Sequence, residues 1–382
     1  MRIGIMLRHF EQHGGGVNTY TRRLLPGLFA AAPADEFVLL YPREHLKGTY
    51  ARFPNVSEQV VPAASVLVWD QLKVPRAVRR LGLDLLFNPK YSIPLTVDCR
   101  TAWVCHGLDW YVMPWASPWL DRVSHRYLVP RYAAKADAII AVSEITREHV
   151  MEFLSVPGER VHTVYSGIPD VFYESPPAPA LERTRERLQL PPQFLLYAGQ
   201  IYPPKNFTRL LQAYARVGPA RGVALVIAGG TANVLSRHEL ELPERLGIAR
   251  WVRWSGWLEP QELACVYRLA LALLLPSLFE SFGFPIVEAM ASGCAVLTSN
   301  RYGTAEIAED AALLVDPESI EEIAAGIARL VEEPLLRARL SERGRVRAAH
   351  FTLARCVSET TAVLRGTTPP AHPAPLTALP KA

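Results

Sequence analysis

The sequence has no Cys-x-x-Cys pair, and its five cysteines (Cys99, Cys105, Cys265, Cys294, Cys356) are odd in number. That argues against a disulfide framework and a zinc ribbon, and fits the buried, reduced thiols of a cytoplasmic protein. No secretory leader is legible, because Met1-Arg-Ile-Gly-Ile-Met-Leu-Arg8 is too short and soon interrupted by charge. The longest uncharged apolar run, 269–276, falls far below the ~20 residues that span a bilayer and reads as a strand buried on both faces. An integral membrane protein is therefore not expected, and surface association stays open. Charge of one sign is also lacking: the net charge is +4, with 20% of residues charged and 49% hydrophobic. Arginine far outnumbers lysine, which identifies no partner, and no nucleic-acid partner is expected. Nor is there a His/Asp pattern with ligand spacing, so no metal or other cofactor is expected.

What is present is alternation. Strand-like segments at 2–7, 37–41, 56–61, 84–87, 101–105, 138–142 and 161–164 are mostly separated by helical patterns, the first of them at 17–31. A proline-rich stretch, Glu174-Ser-Pro-Pro-Ala-Pro-Ala180, then interrupts the pattern. It restarts with strands at 194–198, 223–228, 251–254, 271–275, 295–298 and 312–315. Helices are read at 206–217, 261–269, 285–292, 318–332 and 335–349. Such alternation implies mostly parallel sheets covered by helices. The fold class is α/β, with two doubly wound Rossmann-like domains facing each other across a cleft. Their expected bounds are 1–175 and 190–350. A last helix lies at about 352–365, and 366–382 is a Pro/Ala/Thr-rich tail that reads as disordered.

The densest segment is Glu280-Ser-Phe-Gly-Phe-Pro-Ile-Val-Glu288. Pro285 suits the first turn of a helix. The N–H groups around Gly283, Phe284, Pro285 and Ile286 make a helix start where an anion binds. Glu280 and Glu288 flank that site. Carboxylates beside a phosphate are costly unless they read hydroxyl groups, so a ligand rich in both is expected. Lys205, in Gly199-Gln-Ile-Tyr-Pro-Pro-Lys-Asn206, follows a strand and suits a diphosphate, although a lone lysine is more often solvated surface. Gly14-Gly-Gly16 follows the first strand and permits close backbone approach. It misses the dinucleotide fingerprint, because Thr19 stands where the third glycine belongs. His106 ends a strand at the cleft edge, and Asp109 either orients it or caps the following turn. The cations Arg122, His125, Arg126, Arg131 and Lys135 interleave with Trp115, Trp119, Tyr127 and Tyr132. A solvated helix face is the default for them, and contact with anionic lipid is the sharper alternative.

Taken in order, these motifs resemble the family-four retaining glycosyltransferases of the GT-B fold. Glu280-x7-Glu288 matches the family signature. The likeness extends through Gly16 and Tyr20, His106, Val142-Ser143-Glu144, Ser166-Gly-Ile-Pro169, Lys205-Asn206, Ser255-Gly256 and Ser299-Asn300 to Glu306. The resemblance implies that Glu280 holds donor-sugar hydroxyls and Glu288 the ribose hydroxyls. Lys205 would neutralise the diphosphate with Gly15, Gly16, Gly283 and Phe284, and the base would lie near Trp257. His106 would touch the transferred sugar, so His106, Lys205 and Glu280 surround the reacting centre. Two positions depart from the family: Gln200 stands where many members carry arginine, and Gly107 where relatives often have aspartate. The first tilts the donor toward GDP-mannose.

The implied reaction is metal-independent, retaining hexosyl transfer from a nucleotide diphosphate sugar to a glycan or lipid-linked acceptor in cell-surface polysaccharide synthesis. The resemblance gives acceptor binding to the first domain and nucleotide-sugar binding to the second. A cytoplasmic protein, peripheral on the inner face of the cell membrane, would suit it. The competing readings are transfer from a UDP-sugar, and a sugar-nucleotide 2-epimerase or hydrolase on the same fold. An NAD-dependent oxidoreductase and a non-catalytic binding protein are weaker still.

Overall fold

The structure is a computed structural model that describes residues 1–10, 15–116, 118–229 and 237–369. The chain divides into two compact units. The first comprises β1 (Arg2–Met6), α1 (Gly16–Ala31), β2 (Glu36–Tyr41), β3 (Val56–Val60), α2 (Val66–Val68), α3 (Val74–Leu81), β4 (Leu85–Asn88), β5 (Arg100–Cys105), α4 (Asp109–Val112), α5 (Trp119–Lys135), β6 (Ala138–Ala141), α6 (Glu144–Leu154) and β7 (Val161–Thr163). The second runs through α7 (Ala178–Leu188), β8 (Phe194–Ala198), α8 (Phe207–Ala215), β9 (Ala224–Ala228), α9 (Arg237–Arg245), β10 (Val252–Gly256), α10 (Pro260–Leu269), β11 (Ala272–Leu275), α11 (Phe284–Ala291), β12 (Ala295–Ser299), α12 (Tyr302–Ala308), β13 (Leu313–Val315), α13 (Ile320–Glu332) and α14 (Pro334–Ala348). The last helix, α15 (Leu353–Arg365), returns to the first unit.

Each unit is built on one parallel sheet, in the order β3-β2-β1-β4-β5-β6-β7 and β10-β9-β8-β11-β12-β13. Parallel strands need crossover helices on both faces, and this is why their side chains are apolar throughout rather than alternating. Leu273, Leu274 and Leu275 of β11 are fully buried, as the apolar run 269–276 requires. In both sheets the strand order reverses next to the first strand. The reversal falls between β1 and β4 in one unit and between β8 and β11 in the other. Loops leaving the carboxyl ends of strands at such a reversal diverge and leave a crevice.

Helix starts follow the sequence. Ser143 Oγ accepts the Thr146 N–H (3.2 Å) at the head of α6, and Ser319 Oγ accepts that of Glu322 (3.1 Å) at the head of α13. The division between units falls at Gly167, ahead of residue 175. Its cause lies in what residues 168–173 touch. Phe172 packs on Tyr267, the Tyr173 hydroxyl donates to the Ala348 carbonyl (2.9 Å), and Ile168 N–H donates to Phe351 O (3.1 Å). The far end of the chain does the reverse. In α15, Val357 lies against Gly27 of α1 so closely that a Cβ there would overlap it, and Arg365 pairs with Asp35 (3.2 Å). Of the tail expected at 366–382, residues 370–382 lie outside the described residues, and 366–369 form no regular element.

The five cysteines are free; Cys105, Cys265, Cys294 and Cys356 are buried and Cys99 is partly so. Among the described residues no helix is long and apolar enough to cross a membrane.

Candidate active site

The crevice of the second unit receives the loop after β8 and the loop after β11. The first leaves the sheet at Gly199, whose φ of +131° is open to glycine and costly for other residues. The Tyr197 hydroxyl donates to the Gln200 carbonyl (3.0 Å) and holds the turn. A short 3-10 turn, Pro203–Lys205, then brings Lys205 inward. Asn206 follows in the left-handed region at φ +59°, which asparagine tolerates better than most residues. Its amide nitrogen donates to Pro276 O (2.9 Å) and Pro317 O (2.6 Å), and Leu278 N–H donates to Pro204 O (2.8 Å). The two loops are thereby stitched together.

Between them lies a buried ion pair: the Lys205 ammonium donates to the Glu280 carboxylate. Ser277 Oγ donates to the same carboxylate oxygen at 3.0 Å. Lys205 is only 7% exposed and Glu280 8%. Taking both charges out of water is expensive, so each depends on the other. Gly303, at the start of α12, abuts the backbone of the Glu280 loop. Its N–H donates to Glu280 O (2.9 Å), and a Cβ on it would overlap the Ser281 carbonyl and lie 2.6 Å from Glu280 O.

Gly283 caps the start of α11 at φ +86°, and Pro285 occupies the first turn. The Ile286 N–H is taken by the Gly283 carbonyl (2.9 Å), and Pro285 has none to give. The anion expectation for 283–286 therefore narrows to Gly283 and Phe284. Glu288, one turn further along α11, is buried, and its carboxylate accepts from the Tyr267 hydroxyl (3.3 Å). Trp257 follows Gly256 at the carboxyl end of the edge strand β10, with half its surface exposed. It stands two strand spacings, about 10 Å, from β8.

In the first unit, His106 follows β5. Its Nε2 lies 2.7 Å from the Pro89 carbonyl and must donate there, so Nδ1 is the acceptor. The ring meets Tyr20 of α1 edge-to-face at 4.8 Å. Burial pushes its pKa down to about 4, so the imidazole is neutral at pH 7. Asp109 begins α4, and burial raises its carboxyl pKa above the usual carboxylate range. Gly15 caps α1 and Gly16 is its first residue; among the described residues, and apart from its chain neighbours and its own helix backbone, nothing lies within 4 Å of where a Cβ would stand. Gly14 lies outside the described residues.

His106 also predicts an acid response. In the unfolded chain a histidine takes up its proton near pH 6.5, but in the folded chain His106 does so only near 4. The unfolded state then binds more protons across that window, so stability is full above 6.5 and falls as pH drops toward 4. The melting temperature of His106→Asn should decline less steeply over this range than that of the native chain, and equal slopes would refute the assignment.

Sequence reasoning did not single out Ser277, Asn206 or Gly303 as site residues. Ser277 and Asn206 stand inside quoted motifs, but their partners come from other loops. Gly303 carries no local signal at all.

Two family descriptions match the chain. The second unit fits "Glycosyl transferases group 1" over residues 181–347, and the first fits "Glycosyltransferase Family 4" over residues 14–172. The chain belongs to glycosyltransferase family four. It is an enzyme of the transferase class. Among family relatives, the O-antigen chain mannosyltransferase B of Escherichia coli is 28% identical over 283 residues, 72% of this chain and 73% of that protein. The MMP alpha-(1->4)-mannosyltransferase of Mycolicibacterium hassiacum is 29% identical over 290 residues, 75% of this chain and 66% of the relative. The fold is GT-B, as in the sucrose-phosphate synthase of Thermosynechococcus elongatus (TM-score 0.80, 21% identity, 96% of this chain and 98% of the other). HepE of Anabaena, solved with UDP and glucose, has a TM-score of 0.77 at 17% identity and covers 96% of this chain and 100% of its own.

Proposed function

We propose that this glycosyltransferase moves mannose from GDP-mannose, with retention, to a hydroxyl of a glycan or lipid-linked acceptor in cell-surface polysaccharide synthesis. The observation that carries the reading is the Lys205–Glu280 pair, buried where the strand order of the second unit reverses. A diphosphate competes for the ammonium, and the hydroxyls of the attached sugar then take the carboxylate. Both charges stay compensated during the exchange. Glu288 reads the ribose, and Trp257, about 10 Å along the sheet edge, meets the base. The mannosyl preference is supported by the mannosyltransferase relatives and by Gln200, which leaves the leaving phosphate with one cation fewer.

Catalysis would come from stabilising the departing diphosphate with Lys205 and the start of α11. The acceptor oxygen attacks C1 of the sugar on the face the diphosphate leaves, the C1–phosphate bond breaks, and the phosphate takes the acceptor's proton. His106, neutral and with Nε2–H held by Pro89, presents Nδ1 to accept from a sugar hydroxyl. A thermal-shift panel of GDP, UDP and ADP, each with its sugar, tests the donor. GDP and GDP-mannose should raise the melting temperature most, without a divalent cation and in EDTA. A larger shift with UDP-sugars, or a strict divalent requirement, would overturn this reading.

The acceptor side of the proposal includes contact with an anionic membrane. On α5, Trp119, Leu120, Val123 and Tyr127 occupy one arc of about 100° and are each about 60% exposed. That arc is opposite the face that buries Val129 and Tyr132. Arg126 and Arg131 border it, the Arg131 guanidinium lying 3.6 Å from the Tyr127 ring centre. Aromatic and aliphatic side chains ringed by arginine match the interface of a bilayer with acidic headgroups. The protein should co-sediment with phosphatidylglycerol vesicles and not with phosphatidylcholine. At about 1 kcal/mol per cation, Arg126→Gln with Arg131→Gln should weaken binding by roughly 30-fold. Equal partition onto both lipids would refute the contact.

A further inference from the structure

The first unit has a strand reversal of its own, between β1 and β4, and the loops leaving those strands carry basic groups that the transfer reading leaves unused. Leu7, His9 and Phe10 follow β1, and Pro89 and Lys90 follow β4. They border a small open recess. Lys90 Nζ donates to His9 Nδ1 at 3.4 Å. The loop that presents Lys90 is fixed by its neighbour Asn88: its Oδ1 accepts the Lys90 N–H (3.0 Å), and its amide donates to Ser92 Oγ (3.0 Å). Lys90 is therefore held in place.

Among the described residues, the groups that face Lys90 are Arg8 and His9 from the exit of β1, the Tyr91 ring, and His106 and His125 from β5 and α5, and none of these carries a carboxylate. The nearby carboxylate of Asp70 is engaged by Arg8 at 3.4 Å. Among the described residues no carboxylate reaches Lys90 or His9. Burial, with Arg8 beside it, lowers Lys90 to about 8, and burial with both cations drives His9 to about 2. A desolvated ammonium leaning on a neutral imidazole is a destabilising arrangement. Its position, in the crevice of a doubly wound sheet, is where such proteins bind ligands. Donation from His106 Nε2 to Pro89 O ties the recess to the residue that the transfer reading assigns to the sugar.

We propose that this recess binds an anionic group of the acceptor, a phosphate or a carboxylate, with Lys90 as its counter-charge and His9 as the neutral partner that holds the ammonium in place. The proposal rests on the reading that the first unit receives the acceptor, and it deepens that reading by giving the acceptor a charge.

Calorimetric titration of the full chain with inorganic phosphate, and separately with acetate, tests it and tells the two anions apart. Lys205→Met removes the other phosphate-binding lysine, so the titrations are run in that variant, alone and combined with Lys90→Met or Lys90→Arg. At pH 7 at least one anion should bind to Lys205→Met, lose at least 10-fold in affinity with Lys90→Met, and recover in part with Lys90→Arg. Affinity should also fade as pH rises through 8, where Lys90 loses its proton. Lys90→Met should not lower the melting temperature, because it removes a desolvated charge. Binding that survives Lys90→Met, or no binding of either anion to Lys205→Met at millimolar concentration, would overturn the proposal. A failed donor panel alongside intact phosphate binding would refute the transfer reading and leave the recess standing.

Discussion

Lys205→Ala should lower kcat by about 10²- to 10³-fold, the usual cost of removing one group that stabilises charge developing in a transition state. It should also cost about 3–5 kcal/mol of stability, because Glu280 would be left buried with only Ser277 to answer it. The two effects separate in a double variant. Adding Glu280→Gln removes the stranded charge, so Lys205→Ala/Glu280→Gln should regain most of the stability and none of the turnover. Urea unfolding and steady-state kinetics on the three proteins read both quantities. Near-native turnover in Lys205→Ala would end the assigned role. Recovered turnover in the double variant would show that the lysine serves only to neutralise Glu280.

The second large effect concerns a residue with no functional group. Gly303→Ala places a methyl against the backbone carbonyls of Ser281 and Glu280. Those carbonyls belong to the loop that carries the Glu280 side chain, so relief of the clash displaces the carboxylate from Lys205. Overpacking of this kind costs about 1–3 kcal/mol. A misplacement of about 1 Å at a reacting centre costs about 10²-fold in rate. The expected result is a folded protein with a lowered melting temperature and a kcat reduced out of proportion to it. Unchanged kinetics would mean that the contact at Gly303 does not hold the loop.

Gly303 also shows where reading the sequence stops. The strands were legible because a parallel sheet buried on both faces leaves unbroken apolar runs, as Leu273 to Leu275 do. Lys205 and Glu280 were legible because each follows such a run, and the end of a parallel strand is where ligand-binding side chains stand. That they pair with each other was not legible, since the contact joins loops far apart in sequence and depends on which strands are neighbours. The same limit hid Asn206, whose partners are Pro276 and Pro317, and the shift of residues 168–173 into the second unit, decided by Tyr267 and Ala348. The helix Arg237–Arg245 was missed for a local reason: it is short and polar, and Pro243 near its end reads as a helix breaker.

The return of α15 to the first unit bears on how the chain is made. Until residues 353–365 leave the ribosome, the face of α1 around Gly27 has no covering helix, while every strand of the second unit has already been synthesised. The first unit is thus finished after the second, and a nascent chain stalled before Leu353 would hold one complete sheet and one with an uncovered apolar flank.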